Sequence, residues 1–308
     1  MNAAIQPPEN VQYAPASASW NAYLKLRFAK RQRGVRLVGS EHEGPLYVQK
    51  AFYPEGDDCA HCYLLHPPGG LVTGDQLTIS IQAEPASRAL ITTPGAGRVY
   101  KARDRQGVQT QTIHLQVDEQ ASLEWMPLET ILFPNSQARL NTRIDLADQA
   151  KVIAWDITCF GLPANRIEFS EGSVRQSLQV WVKGRIQLNE RLVIDSGTLA
   201  SENNDTSLLK SKAGFCSRPV HGLLIAGPFE QEAPELVGLI NQLRELKVRQ
   251  REGQSSDLVS VTQIGAFLSV RYLGWCTESA RTYFTGVWQI LRPCLLDRKA
   301  VSPRIWAT

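Results

Sequence analysis

Residues 77–82 read Leu77-Thr78-Ile79-Ser80-Ile81-Gln82. Apolar and polar residues alternate with a period of two, the period of a strand that buries one face. The alternation recurs on both sides of this stretch. Leu24, Leu26 and Phe28 alternate with Lys25 and Arg27, and Ile113, Leu115 and Val117 with His114 and Gln116. Leu178, Val180 and Val182 alternate with Gln179, Trp181 and Lys183, and Ile186 and Leu188 flank Gln187. Turn-forming residues separate the runs: Arg33-Gly34, Gly44-Pro45, Pro67 to Gly70, Thr93 to Gly97, Gly161 to Pro163 and Asp195 to Gly197. More than ten short strands without helical patterns between them predict an all-β body over about 20–230. Doubly wound and barrel α/β folds are excluded.

Beyond residue 231 the period changes. Pro234 opens a helical pattern with Leu236, Leu239, Ile240, Leu243 and Leu246 on one stripe, expected to close at Gly253. A second pattern follows Thr277, carried by Ala280, Phe284, Val287, Trp288 and Leu291. Proline cannot donate a helical hydrogen bond, so this helix is expected to stop at Arg292-Pro293. Leu258 to Leu273 reads as one or two strands, and Ser201 to Ser211 as a polar, mobile loop. The expectation is a single domain over 20–308: mainly β, with two C-terminal α-helices in a part spanning about 231–308. Residues 1–19, rich in Pro, Ala and Ser, read as a flexible tail.

The 308 residues are 43% hydrophobic and 20% charged, a globular composition. Thirty-three basic residues against 30 acidic leave a net charge of +3, too little for a dedicated nucleic-acid binder. The run Lys25, Arg27, Lys30, Arg31, Arg33, Arg36 fits the outer face of one strand and a turn. The six cysteines are dispersed, unlike a secreted disulfide scaffold. Residues 1–19 hold no Lys or Arg and no apolar core of a signal peptide. No stretch approaches the roughly 20 apolar residues of a membrane span. The reading is a soluble cytoplasmic protein without nucleic-acid or membrane partners.

Motifs for nucleotide hydrolysis (GxxxxGK[ST]), serine hydrolysis (GxSxG) and zinc proteolysis (HExxH) do not occur. Gly95-Ala96-Gly97 lacks the third glycine of a dinucleotide fingerprint. Cys59, His61 and Cys62, with His66, look like half of a metal site. No second cysteine pair follows, and packing of buried thiols is the plainer reading, so no tight metal site is expected. Five carboxylates keep apolar company: Asp75, Glu124, Glu129, Asp156 and Glu190. Near a core such groups must be paired, hydrogen-bonded or hydrated. They could line a wet path for a divalent cation, act as a hydrolase pair, or make ordinary ion pairs.

Several consecutive segments resemble one family, the urease accessory proteins called UreD or UreH. Pro45 to Gly56 (PLYVQKAFYPEG) is similar to its "GPLxVQRPFYPEG" signature, and His66 to Asp75 (HPPGGLVTGD) to "HPPGGxVxGDxL". Thr92 to Ala96 with Val99-Tyr100 resembles "TTPGATKxYR", and Leu123 to Ile131 (LEWMPLETI) resembles "LEWLPQExI". Trp288 to Pro293 and Pro303 to Thr308 (PRIWAT) match the closing motifs, in family order. Departures occur at Gly97-Arg98, at Leu128, at Leu162 in place of an arginine, and at Asn165-Arg166-Ile167.

The resemblance implies a β-helix-like all-β body with two C-terminal helices. It implies a non-enzymatic maturation scaffold that binds apo-urease and a helical partner, UreF. That pair would recruit UreG, the nickel-carrying GTPase. Ni²⁺ would be cargo in transit through a polar interior path and not a tightly bound cofactor. The residues that match family motifs are Asp75, Asp156 and Glu190, with Glu124 and Glu129 behind them. Tyr283, Trp288, Arg304 and Trp306 are the candidate partner contacts. The alternatives are a pure assembly scaffold with no nickel passage and a two-carboxylate β-fold hydrolase.

Overall fold

The computed structural model describes residues 19–103, 107–195, 208–230, 234–246, 248 and 256–307. The chain opens with β1 (Asn21–Arg31), β2 (Gly34–Glu43), β3 (Tyr47–Phe52) and β4 (Ala60–Leu65). β5 (Gln76–Ala83), β6 (Arg88–Thr92), β7 (Gly97–Val99), β8 (Gln109–Val117) and β9 (Ser122–Met126) follow. Then come β10 (Thr130–Leu132), β11 (Gln137–Leu146), β12 (Lys151–Phe160), β13 (Ser173–Val182), β14 (Arg185–Asp195) and β15 (Val220–Gly227). Helix α1 (Pro234–Glu245), strands β16 (Leu258–Ile264) and β17 (Phe267–Gly274), and helix α2 (Thr277–Leu296) complete the order.

The strands form two sheets. Sheet A has the order β14-β13-β11-β8-β5-β1-β2, and sheet B the order β16-β17-β15-β12-β9-β6-β4-β3, with β10 and β7 beside β12. The middle of each sheet is parallel: β1, β5, β8, β11 and β13 in sheet A, and β4, β6, β9 and β12 in sheet B. Antiparallel strands close the edges. From β5 to β13 the chain crosses repeatedly between the sheets, so each parallel connection is a strand of the opposite sheet and not the usual helix.

The period-two runs account for this arrangement. Leu24, Leu26, Phe28, Leu77, Ile79, Ile81, Ile113, Leu115 and Val117 all face the space between the sheets. Sheet B is covered on both faces. In β12, Ala154 and Phe160 join the inter-sheet core, whereas Ile153, Trp155, Ile157 and Cys159 join a second core beneath the helices. The result is three layers: sheet A, sheet B, then α1 and α2. No helix among the described residues is long and apolar enough to cross a membrane.

Three expectations are corrected. Ile186 is 44% exposed, not inward. A register shift between Val180 and Trp181 places it opposite the outward-facing Trp181, and a one-residue slip exchanges sheet faces. Helix α2 does not stop before Pro293 but continues through it to Leu296. An interior proline costs about 3 kcal/mol, and burial of Leu295 and Leu296 together with the Arg292 bonds to Glu55 and Glu124 opposes that cost. Asp297, at φ 53°, then closes the helix by donating its N–H to the Pro293 carbonyl. Helix α1 ends at Glu245, short of Gly253, with the Leu246 N–H donating to the Leu243 carbonyl. Leu258 to Leu273 forms the expected pair of strands. The expected tail falls almost wholly outside the described residues, and so do positions 201–207 of the expected loop.

Candidate functional site

A cavity of about 360 Å³ lies between the sheets near the His66–Gly70 and Pro94–Arg98 turns. Leu77, Ile79, Ile113 and Trp125 give it apolar walls, and Asp156 is the one carboxylate among the residues lining it. The placement follows from pleating: Trp155 points to the helices, so Asp156 must point between the sheets. Gln176 of β13 crosses from sheet A, donating through Nε2 to Asp156 Oδ2 at 2.7 Å and to Thr158 Oγ1 at 3.1 Å. Burial raises the Asp156 pKa, and the Gln176 bond only partly opposes this.

His66 lines the same cavity. Burial lowers its pKa, against an opposing pull from Asp75. Asp75 itself is fixed in a turn, accepting the Val72 N–H at 2.8 Å and the Trp20 N–H at 3.0 Å. The Gly70 backbone runs flush against β7, where an added Cβ would meet Tyr100 Cε2 at 2.6 Å and the Arg98 carbonyl oxygen at 2.7 Å. That close approach explains a glycine here.

Glu190 lies farther along the interior. It faces inward from β14, the edge strand of sheet A, and forms an ion pair with Arg271 of β17, the second strand of sheet B. Asp156, Leu223 and Arg271 are in register across β12, β15 and β17. Asp156 and Arg271 therefore share one row, two strands or about 10 Å apart. His221 sits one row away, opposite Thr158 and stacked on Phe215 at 5.4 Å. Burial, helped by the Arg271 charge, lowers its pKa to about 4, so it is neutral at pH 7. Asp156 and the Arg271–Glu190 pair thus lie on the same side of sheet B, with the buried Leu223 between them and the ion pair partly exposed.

Glu124 and Glu129 lie elsewhere. Glu129 accepts the Thr277 hydroxyl at 3.2 Å. Glu124 points from β9 toward the helices and is engaged by Trp288 Nε1 at 2.8 Å and by Arg292. The Arg292 guanidinium is fully buried. It donates to Glu124 Oε1 at 2.8 Å and Oε2 at 2.9 Å, and to Glu55 Oε2 at 2.8 Å and Oε1 at 2.6 Å. Burial alone would raise the Glu55 pKa, but bonds from His61 and Arg292 outweigh it and hold it at about 2. Glu55 and Arg292 lie in segments that resemble family motifs, and neither residue stands out there as half of a pair. Their 237-residue separation leaves no local signal of the pairing.

The four cysteine and histidine candidates are divided by the pleat. Cys62 faces the inter-sheet core, where burial raises its pKa to about 12. His66 faces the cavity, and Cys59 and His61 face Arg292. The ligand atoms of Glu55, Cys59 and His61 do lie within 4.8 Å of one another. However, Arg292 and Arg298 already bond the Glu55 carboxylate, and a metal cation there would face two guanidinium charges.

Tyr283 and Trp288 are turned inward, 4% and 0% exposed. This corrects their expected partner-facing role: they lie on the helix stripe that packs on sheet B. Trp306 docks the C-terminal segment between Trp155 and Trp288, at 5.6 and 5.7 Å, and donates to Thr92 Oγ1 at 2.9 Å. Arg304 is exposed. The divergent Leu162 and Ile167 pair with each other across a short loop, beside a groove of about 730 Å³ that also contains Cys159 and Cys276.

A family model described as UreD urease accessory protein matches residues 21–307. A protein of Marinomonas sp. named Urease accessory protein UreD is 44% identical over 292 residues, covering 95% of this chain and 91% of its own. A protein of the same name from Methylobacillus flagellatus is 40% identical, over 95% of this chain and 96% of its own. Another from Nitrosococcus oceani is 38% identical, over 99% and 96% respectively.

Proposed function

Because the chain belongs to the UreD family of urease accessory proteins, we propose that it escorts Ni²⁺ into apo-urease along a polar path between its sheets. As a UreD protein it takes part in urease maturation and is an accessory protein, not an enzyme. In this reading it works in the cytoplasm, binding apo-urease and UreF, and the UreD–UreF pair recruits UreG. GTP hydrolysis belongs to UreG, consistent with the lack of a P-loop motif in this sequence.

The observation that carries the reading is Asp156, a half-buried carboxylate on the wall of an inter-sheet cavity. A relay needs oxygen ligands that bind a hard cation weakly enough to release it. A single carboxylate already bonded to Gln176 meets that need, because it offers few oxygen ligands and burial disfavours its charged form. His66 at the cavity and Glu190 beside Arg271 extend the path in both directions.

The second reading is assembly without nickel passage. It is favoured by Asp75, Glu124 and Glu129, whose carboxylates already hold turn or helix donors. Co-expressing urease with an Asp156→Ala/Glu190→Ala variant separates the two. The relay predicts normal assembly with nickel-poor urease. Normal nickel loading would leave the scaffold.

A further inference from the structure

The outer face of sheet A is polar and uncovered by any described element. Across β11, β13 and β14 it carries Arg139, Arg175 and Arg191, all exposed. Arg139 and Arg175 are direct register partners on adjacent parallel strands. Arg191 lies opposite Ser177, diagonal to Arg175. None of the three has an ion-pair partner among the described residues, although the other charges beside them are engaged. Asp145 is taken by Arg143 at 2.7 and 2.8 Å and by His114 at 2.7 Å, and Arg143 itself stacks on Trp181 at 4.5 Å. Asp195, at the end of β14, has a partner as well.

Like charges side by side on a sheet repel one another and oppose folding. Three unpaired guanidiniums on neighbouring strands, with an exposed Val193 opposite Arg175, therefore suit an anionic surface that binds there. Guanidinium favours planar, bidentate contact with carboxylates. Flanking polar groups are already bonded to each other and leave the arginines free of them: Ser177 Oγ donates to Asn141 Oδ1 at 2.9 Å, and Gln179 Nε2 to Asn189 Oδ1 at 3.2 Å.

We propose that this face docks a carboxylate-rich surface of the urease apoprotein through Arg139, Arg175 and Arg191. The proposal rests on the accessory role argued above and assigns it a surface. Such a contact steers association, so its effect falls on the on-rate and fades with salt.

The test uses the full chain and immobilised apo-urease, at low and at high salt. The variants are Arg139→Gln/Arg175→Gln/Arg191→Gln and the matching triple Glu reversal. Association at low salt should slow by roughly tenfold or more for the Gln triple and further for the Glu triple, and the difference should shrink at high salt. The Gln triple should melt no lower than wild type, because it removes repulsion from an exposed face. Equal association of wild type and the Gln triple would overturn the docking face and leave the accessory role intact. A wild-type chain that does not bind apo-urease would remove the accessory reading and this face with it. Duplex DNA and phosphatidylserine vesicles serve as further probes. Binding to either that is lost in the Gln triple, with urease binding unchanged, would also overturn the proposal.

Discussion

Arg292 and Glu124, 168 residues apart, form a bidentate pair in which Nε donates to Oε1 at 2.8 Å and Nη2 to Oε2 at 2.9 Å. The pair fastens α2 to the middle of sheet B. Glu55 completes it from the other side, so one guanidinium bridges two buried carboxylates, with Arg298 and His61 also bonded to Glu55. Arg292→Leu would leave Glu124 with no cationic partner and only the Trp288 N–H, and Glu55 with His61 and Arg298 alone. Breaking a buried pair in this way costs about 3–5 kcal/mol, and the variant should show that loss in urea unfolding. Arg292→Lys, which keeps the charge and loses the fork, should recover only part of it.

Acid should open the same junction. The Glu55 carboxyl takes up a proton near 4.5 when unfolded but near 2 when folded. Between those values the unfolded state binds more protons, so stability falls as pH drops through the window and is intact above it. Thermal midpoints measured from pH 6 downward should decline with this profile. Glu55→Gln should flatten the decline.

Asp156 carries the opposite sign. Its folded pKa is raised by burial, so its contribution to stability is present at low pH and is lost as pH rises through that value. Asp156→Asn keeps the shape without the ionisation. It should melt above wild type in mildly alkaline buffer, with the gap closing on acidification. In the relay reading the same substitution lowers the nickel content of co-expressed urease, measured by metal analysis.

Gly222 of β15 sits beneath α2. A Cβ there would meet Phe284 Cε2 at 2.8 Å and Cζ at 2.9 Å. Gly222→Ala should therefore displace the ring and cost about 1–3 kcal/mol by overpacking. Pairing it with Phe284→Leu should recover much of the loss, which a double-mutant cycle would read directly.

Trp306 holds the C-terminal segment to the helical layer. It is partly exposed, so Trp306→Ala should cost less than the full burial of an indole, about 2–3 kcal/mol. Limited proteolysis near the C-terminus should accelerate in this variant while the sheets stay protected.

The strands and their inward faces were legible in the sequence because a strand's period is local: Leu77, Ile79 and Ile81 announce a buried face without reference to anything distant. The helical stripes of α1 and α2 were legible for the same reason. Ile186 was misread because a register shift depends on the partner strand. Pro293 was misread because the last turn of α2 is held by Arg292, Leu295 and Leu296 against groups far away in the chain. The sequence also marked Asp156 and Glu190 as carboxylates in apolar company. Only the tertiary structure could set Asp156 on a cavity wall and Glu190 against Arg271, separate Cys59 from Cys62 across a pleat, and close Glu55, Glu124 and Arg292 into one cluster. Alternation along a strand is written in neighbouring residues, whereas charge compensation in a core is settled by contacts that form only when distant segments meet.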